Sequence, residues 1–202
     1  MWFRGVAQSL SWALHPFVLP IYLLLLLFSQ TAFARFSTSL QIYLIGSVLL
    51  YGVVLPLFFI LLLRIRGRLT SFRIEEQRER ILPLMIGAIC YMLCAVTIGR
   101  IESVDFLRKF MVAAGCCELM CALVMMRWKI SLHLTGMGSA VALLVVMNLL
   151  ALPRMLVPLL VAIGASGLLA SARLYLGRHT PLQVAAGFVG GFLLTLVALF
   201  FF

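Results

Sequence analysis

The chain has 202 residues, 64% of them hydrophobic, and a mean hydropathy of +1.18. A soluble domain is about 45–50% apolar, so this excess, laid out in long uncharged runs, excludes an ordinary soluble globule and reads as an integral membrane protein. Sixteen basic residues against six acidic give a net charge of +10; with no basic face of interleaved aromatics outside the loops, that charge fits basic loops meeting anionic head groups, not nucleic-acid binding.

Residues 1–16 hold one charge, Arg4, and end on His15-Pro16, which reads as an interfacial pair. Residues 17–28 are strongly apolar and predict the first span. Thr31-Ala-Phe-Ala34 has the small-x-small form of a signal cleavage site, but the region before it is long for a signal peptide. Residues 40–63 predict the second span, long enough to cross with some tilt. The stretch that follows is the most charged in the chain. Arg64, Arg66 and Arg68 read as a solvated juxtamembrane loop. Arg73 and Arg80 stand seven apart and share a helix face, with Glu76 between them and able to pair with either.

Residues 81–98 predict the third span and 110–126 the fourth. The fourth is short and contains Glu118, a functional candidate unless a neighbouring arginine satisfies it. In 127–135 the residues alternate, which places Lys129, Ser131 and His133 on one side of an extended segment. The backbone N–H groups of the helix that follows, with the Ser131 hydroxyl, suit an anion. The fifth span runs to about residue 152, the sixth over 155–170 and the seventh over 184–202, with Gly164, Gly167, Gly187, Gly190 and Gly191 allowing close helix contact. Cys90, Cys94, Cys116, Cys117 and Cys121 all lie in apolar runs and read as small buried thiols. The predicted fold is all-α: a single integral membrane domain over 1–202, a polytopic bundle of six to seven transmembrane helices.

Three polar stretches, 73–83, 127–135 and 171–183, are each separated from the next by two predicted spans, so they face one side of the membrane. The last carries Arg173 and His179, six residues apart, where a charge at membrane depth is costly and calls for a reason. An arginine fork and an imidazole in one small space fit a phosphate ester. One neutralises the anion with paired donors; the other attacks phosphorus or donates a proton.

In order and spacing these stretches resemble the type 2 phosphatidic acid phosphatase family, which shares its core with the vanadium haloperoxidases and carries the motifs KxxxxxxRP, PSGH and SRxxxxxHxxxD. The first corresponds to Arg73 through Arg80, with arginine for lysine and the proline displaced to Pro83. The second corresponds to Ile130-Ser131-Leu132-His133, which keeps the serine and histidine. The third, Ala172-Arg173 to His179, keeps the Arg–His spacing, with its serine at Ser171 and Gln183 in place of the aspartate. The likeness covers residues 73–183.

By that resemblance His179 would be the nucleophile, forming a phosphohistidine, and His133 would protonate the leaving alkoxide. Arg73, Arg80, Arg173, Ser131 and the backbone at Leu132 would hold the phosphoryl oxygens, with Lys129 as a further cation. Gln183 would fix the tautomer of His179 without adding charge. The implied activity is hydrolysis of a lipid-linked phosphate monoester or diphosphate, with no metal or other cofactor, because guanidinium groups supply the charge stabilisation phosphoryl transfer needs. Its partners would be the lipid phosphate and membrane lipids, in a bacterial inner membrane.

Two other readings use the same residues. One is a non-catalytic binder or transporter of phosphorylated lipid; the other is a membrane subunit whose polar loops only solvate. Phosphate release that depends on His179 marks the phosphatase, and lipid binding that survives its loss marks the binder. The excess of basic residues on the motif side leans towards a cytoplasmic site, whereas the resemblance implies the outer face.

Overall fold

The structure, a computed structural model, describes residues 2–68, 77–150 and 155–201, which form α-helices and their connecting turns with no strand among them. Helix α1 (Trp2–Ala13) buries the small residues Ala7 and Ser11, one turn apart, while Trp12 on its other face is 77% exposed. It packs on the late helix α8 (Leu156–Tyr175). Helix α2 (Leu19–Gln30) starts with Pro20 in its first turn, where a missing N–H costs nothing.

Helices α3 (Thr38–Leu49) and α4 (Leu55–Ile65) form one rod joined by a π-helical turn, Leu50–Val54. The cause is local. Pro56 has no N–H for the carbonyl four residues back, at Gly52, so the ladder must widen there. The ring of Tyr91 fills the space beside Gly52, within 3.5 Å of where a Cβ would stand. At the far end Gly67 adopts φ +68, and Arg68 N–H donates to the Leu63 carbonyl at 2.9 Å, a Schellman stop.

Helices α5 (Ile81–Ile98) and α6 (Asp105–Met125) form an antiparallel pair. Gly87 leaves room that the Glu118 carboxyl fills. Glu118 Oε2 has no hydrogen-bond partner among the described residues, an arginine included. Helices α7 (Leu132–Leu149) and α9 (Pro181–Phe201) make the closest pair. A Cβ at Gly138 would collide with the Phe188 carbonyl, one at Gly191 with the Thr135 carbonyl, and one at Gly187 would lie 2.7 Å from the Ser131 carbonyl. Backbone therefore meets backbone, as small residues permit in membrane bundles. A buried hydroxyl pins the contact, Thr195 donating to Ser139 at 2.7 Å, and the Cys121 thiol of α6 donates to Thr135 of α7 at 3.4 Å. Helix α7 is the centre, 67% buried within the bundle, against 17% for the best window of α8.

Among the described residues, five helical stretches are long and apolar enough to cross a membrane: Thr38–Ile65, Arg78–Ile98, Leu132–Leu149, Leu156–Tyr175 and Pro181–Phe201. The sequence suggested six to seven. The first predicted span is the 12-residue α2, about 18 Å long against a hydrocarbon core of about 30 Å. The fourth is the 21-residue α6, long enough but carrying Asp105, Arg108, Lys109 and Glu118. At its start Arg108 and Lys109 pair with Asp105 at 2.6 and 3.4 Å.

Candidate active site at one end of the bundle

The end of α8, the start of α9 and the turn between them encode the core of the site. Gly177 takes φ +63, the left-handed conformation glycine adopts without a Cβ penalty. Gly177 N–H donates to the Leu174 carbonyl at 2.9 Å and Arg178 N–H to the Arg173 carbonyl at 3.2 Å. This Schellman stop ends α8 just after Arg173 and turns the chain back, so that His179 comes within electrostatic reach of the Arg173 guanidinium. Thr180 then caps α9, with Pro181 as its first residue. Gln183 N–H donates to Thr180 Oγ1 at 3.4 Å, and Thr180 N–H donates to Gln183 Oε1 at 3.2 Å, a reciprocal capping box.

That box decides the chemistry of His179. An N–H only donates, so the Gln183 atom facing Thr180 N must be the amide oxygen. The same oxygen lies 3.2 Å from His179 Nδ1. His179 therefore carries its proton on Nδ1, and the Nε2 lone pair is free. His179 is 8% exposed. Its pKa is lowered from the ordinary value to about 4, first by burial, then by Arg173, with Lys129 and Arg80 adding to the effect and the Gln183 hydrogen bond opposing it. At neutral pH the imidazole is uncharged.

The other motif stretches arrive at the same end. The Gln77 amide, just before α5, donates to the Met125 carbonyl at 2.6 Å, tying the start of α5 to the end of α6. Ser131 N–H donates to the Gln183 carbonyl at 3.4 Å, tying the start of α7 to that of α9. Arg80 and Lys129 both act on His179, and Arg80 also acts on Arg173. Ser131 stands at the N-cap of α7 with extended backbone, yet its side chain makes no capping bond. Its Oγ is fully buried with no partner among the described residues, as is the buried Nε of Arg173. The Leu132 N–H opens the first turn of α7 and has no carbonyl one turn back within the helix.

One sequence expectation changes. The extended alternation through Lys129, Ser131 and His133 holds only to Ser131, because α7 starts at Leu132 and His133 is its second residue. Arg73 and Glu76 lie outside the described residues. The sequence also passed over one residue. His15, read as interfacial, packs edge to face on His133, with ring centroids 5.3 Å apart. Beside the site an open cleft of about 300 Å³ is lined by Arg4, Gln8, Leu176, Gly177 and Arg178.

Compared with protein-family models, with curated proteins and with solved structures, the chain matches none.

Proposed function

We propose that this protein is a membrane phosphatase that hydrolyses a lipid-linked phosphate monoester or diphosphate through a phosphohistidine at His179. One observation carries the reading. A neutral histidine with a fixed tautomer and a free Nε2, acted on by the Arg173 guanidinium, shares this end of the bundle with a buried guanidinium Nε–H on Arg173 and a buried hydroxyl on Ser131, both without partners among the described residues. An unsatisfied buried donor costs about 1–3 kcal/mol, and phosphoryl oxygens are acceptors that suit these two groups. The cations Arg80, Lys129 and Arg173 supply the charge that phosphoryl transfer needs stabilised.

In the proposed reaction the Nε2 lone pair of His179 attacks phosphorus. The bond from phosphorus to the lipid oxygen breaks, its electron pair stays on that oxygen, and His133 supplies the proton. Water then attacks the phosphohistidine, gives a proton to His133 and releases inorganic phosphate with His179 restored. The backbone N–H at Leu132, Ser131 Oγ and Arg173 hold the phosphoryl oxygens, and Arg73 belongs to the same set by the motif resemblance. Gln183 orients the nucleophile. We place the site at the face of a bacterial inner membrane, in a bundle of six to seven spans that counts α2 or α6 or both, with membrane lipids as the surrounding partner.

The test is phosphate release by purified protein in detergent from phosphatidate and isoprenoid diphosphate, with and without chelator. Release that persists in chelator and disappears in His179→Ala supports the reading. A second reading has one observation in its favour, the uncharged Gln183 against His179: a binder of phosphorylated lipid that uses the same cations without turnover. Lipid phosphate binding that survives His179→Ala, with no release by the wild type, would select it.

A further inference from the structure

Helix α1 ends in a way that matters to His133. Pro16 disfavours helical backbone at His15, and the chain leaves the helix there: His15 N–H turns to the Trp12 carbonyl at 3.3 Å. The Ser11 carbonyl, which would have accepted that N–H in a continuing helix, is left without it. His133 Nε2 lies 3.1 Å from this carbonyl oxygen. A carbonyl only accepts, so Nε2 of His133 must carry a proton, and Nδ1 is the one ring nitrogen left to face a substrate.

The His15 ring is itself held. Its Nδ1 accepts from Phe17 N–H at 3.3 Å, and it packs against Phe17 and Trp12 with centroids 5.1 and 6.4 Å away. A ring fixed in this way, set at 83° to the ring of His133, restrains the plane of that ring.

We propose that the end of α1 and the turn after it complete the active site: the Ser11 carbonyl fixes the tautomer of His133 and the His15 ring fixes its plane, so that His133 delivers the leaving-group proton from Nδ1. The proposal rests on the phosphatase reading. It makes His15 a positioning residue that acts through His133. In the step concerned, the bond from phosphorus to the lipid oxygen breaks with its pair on oxygen. The Nδ1 proton of a doubly protonated His133 moves to that oxygen, and the ring returns to the form with its proton on Nε2. The Ser11 carbonyl stabilises the charged ring beforehand, as the partner oxygen of a metal-ligating or catalytic imidazole does.

The chain has three histidines, so nitrogen-15 labelling of histidine gives a spectrum of three rings that single substitutions assign. The expected spectrum at neutral pH has His133 and His15 protonated on Nε2 and His179 protonated on Nδ1. The second arm uses His15→Asn, whose side-chain oxygen still accepts from Phe17 N–H; His15→Gln replaces it if that variant does not fold, judged by thermal unfolding in detergent. A general acid contributes about 10²- to 10⁴-fold, so a misaligned one should cost about tenfold or more on an alkyl phosphate and under about threefold on p-nitrophenyl phosphate. Because His15 acts through His133, the His15→Asn/His133→Ala double variant should match His133→Ala alone within about threefold. His133 found with its proton on Nδ1, equal losses on the two substrates, or losses that multiply in the double variant would each overturn the proposal while leaving the phosphatase reading in place. A wild type that releases phosphate from neither substrate would overturn both.

Discussion

Gln183→Glu is the sharpest perturbation available, because it changes charge while keeping shape. A glutamate has the same length, can still accept from Thr180 N–H, and is a standard partner in the capping box. It would place a negative oxygen where Gln183 Oε1 now lies, 3.2 Å from His179 Nδ1. A charge separation of about 4 Å at an effective dielectric of about 20 corresponds to about 4 kcal/mol, an upper figure, since the new carboxylate must itself be desolvated. An opposite charge at this range typically moves a pKa by about 1 to 3. The His179 pKa, now about 4, should therefore rise to between about 5 and 7. The sign follows from charge. The carboxylate favours imidazolium, so the neutral, nucleophilic ring is lost at higher pH than in the wild type and the acid limb of activity moves up. A pH titration followed on the labelled ring nitrogens of His179 measures the change directly, free of the substrate's own ionisation. An unchanged His179 pKa in a folded variant would refute the claim that Gln183 is its hydrogen-bond partner.

Gln183→Leu should remove both halves of the capping box as well as the Nδ1 acceptor, costing about 0.5–2 kcal/mol of stability and most of the activity; a variant equal to wild type in thermal unfolding and turnover would contradict this. Arg173→Lys keeps a charge but loses the planar fork and its Nε–H, so release of phosphate should fall at least about tenfold with inhibition by vanadate weakened in parallel, both read in one detergent assay. Gly191→Ala forces a methyl onto the Thr135 carbonyl and should destabilise the bundle by about 1–3 kcal/mol, whereas Gly164→Ala, with nothing within 4 Å, should not; thermal unfolding of the pair compares them. Removing Arg178 from the cleft it lines with Arg4 should raise KM for lipid phosphate more than it lowers kcat, and an effect on kcat alone would place it elsewhere in the reaction.

Parts of this molecule were legible from sequence for identifiable reasons. Helix α5 occupies 81–98, as the apolar run does, because Arg80 before it and Gly99-Arg100 after it bound a stretch that has no other way to satisfy its backbone in lipid. The π-helical turn at Leu50–Val54 was hidden inside an apolar run, although Pro56 marked it: a proline inside a helix removes the N–H that the carbonyl four residues back would accept. The capping box at Thr180 and Gln183 was readable as a polar cap, proline, then glutamine ahead of an apolar run. His15 could not have been found from its neighbours. Its role depends on where α1 docks, and that is decided by the small faces at Ala7 and Ser11 meeting α8 and α7. His133 was placed on an extended segment because alternation continues one step past the N-cap, where the first helical turn has already begun.

The balance of charge around His179 gives an uncharged residue at position 183 a physical place in the proposed reaction. Burial first, and then Arg173, Lys129 and Arg80, disfavour imidazolium, so the ring stands neutral and able to attack without help, and Gln183 needs only to set its direction. A bound phosphate dianion cancels part of that cationic field, which makes the ring easier to protonate in the complex than in the free protein. Once phosphorus has transferred, the imidazole carries positive charge, and a carboxylate at 183 would stabilise it where glutamine does not. The countercharge then comes from the phosphoryl oxygens, held by the guanidiniums and the Ser131 hydroxyl. Glutamine at 183 therefore favours a reactive, short-lived phosphohistidine over an accumulating one. Gln183→Glu inverts the preference: attack slows through a smaller neutral fraction, while the intermediate becomes more stable. Above the raised pKa the first effect vanishes and the second remains, so phosphohistidine trapped by an alkaline detergent quench, which spares the acid-labile P–N bond, should accumulate in the variant at high pH and stay low in the wild type. Equal accumulation in the two would mean that position 183 orients the ring without influencing its charge.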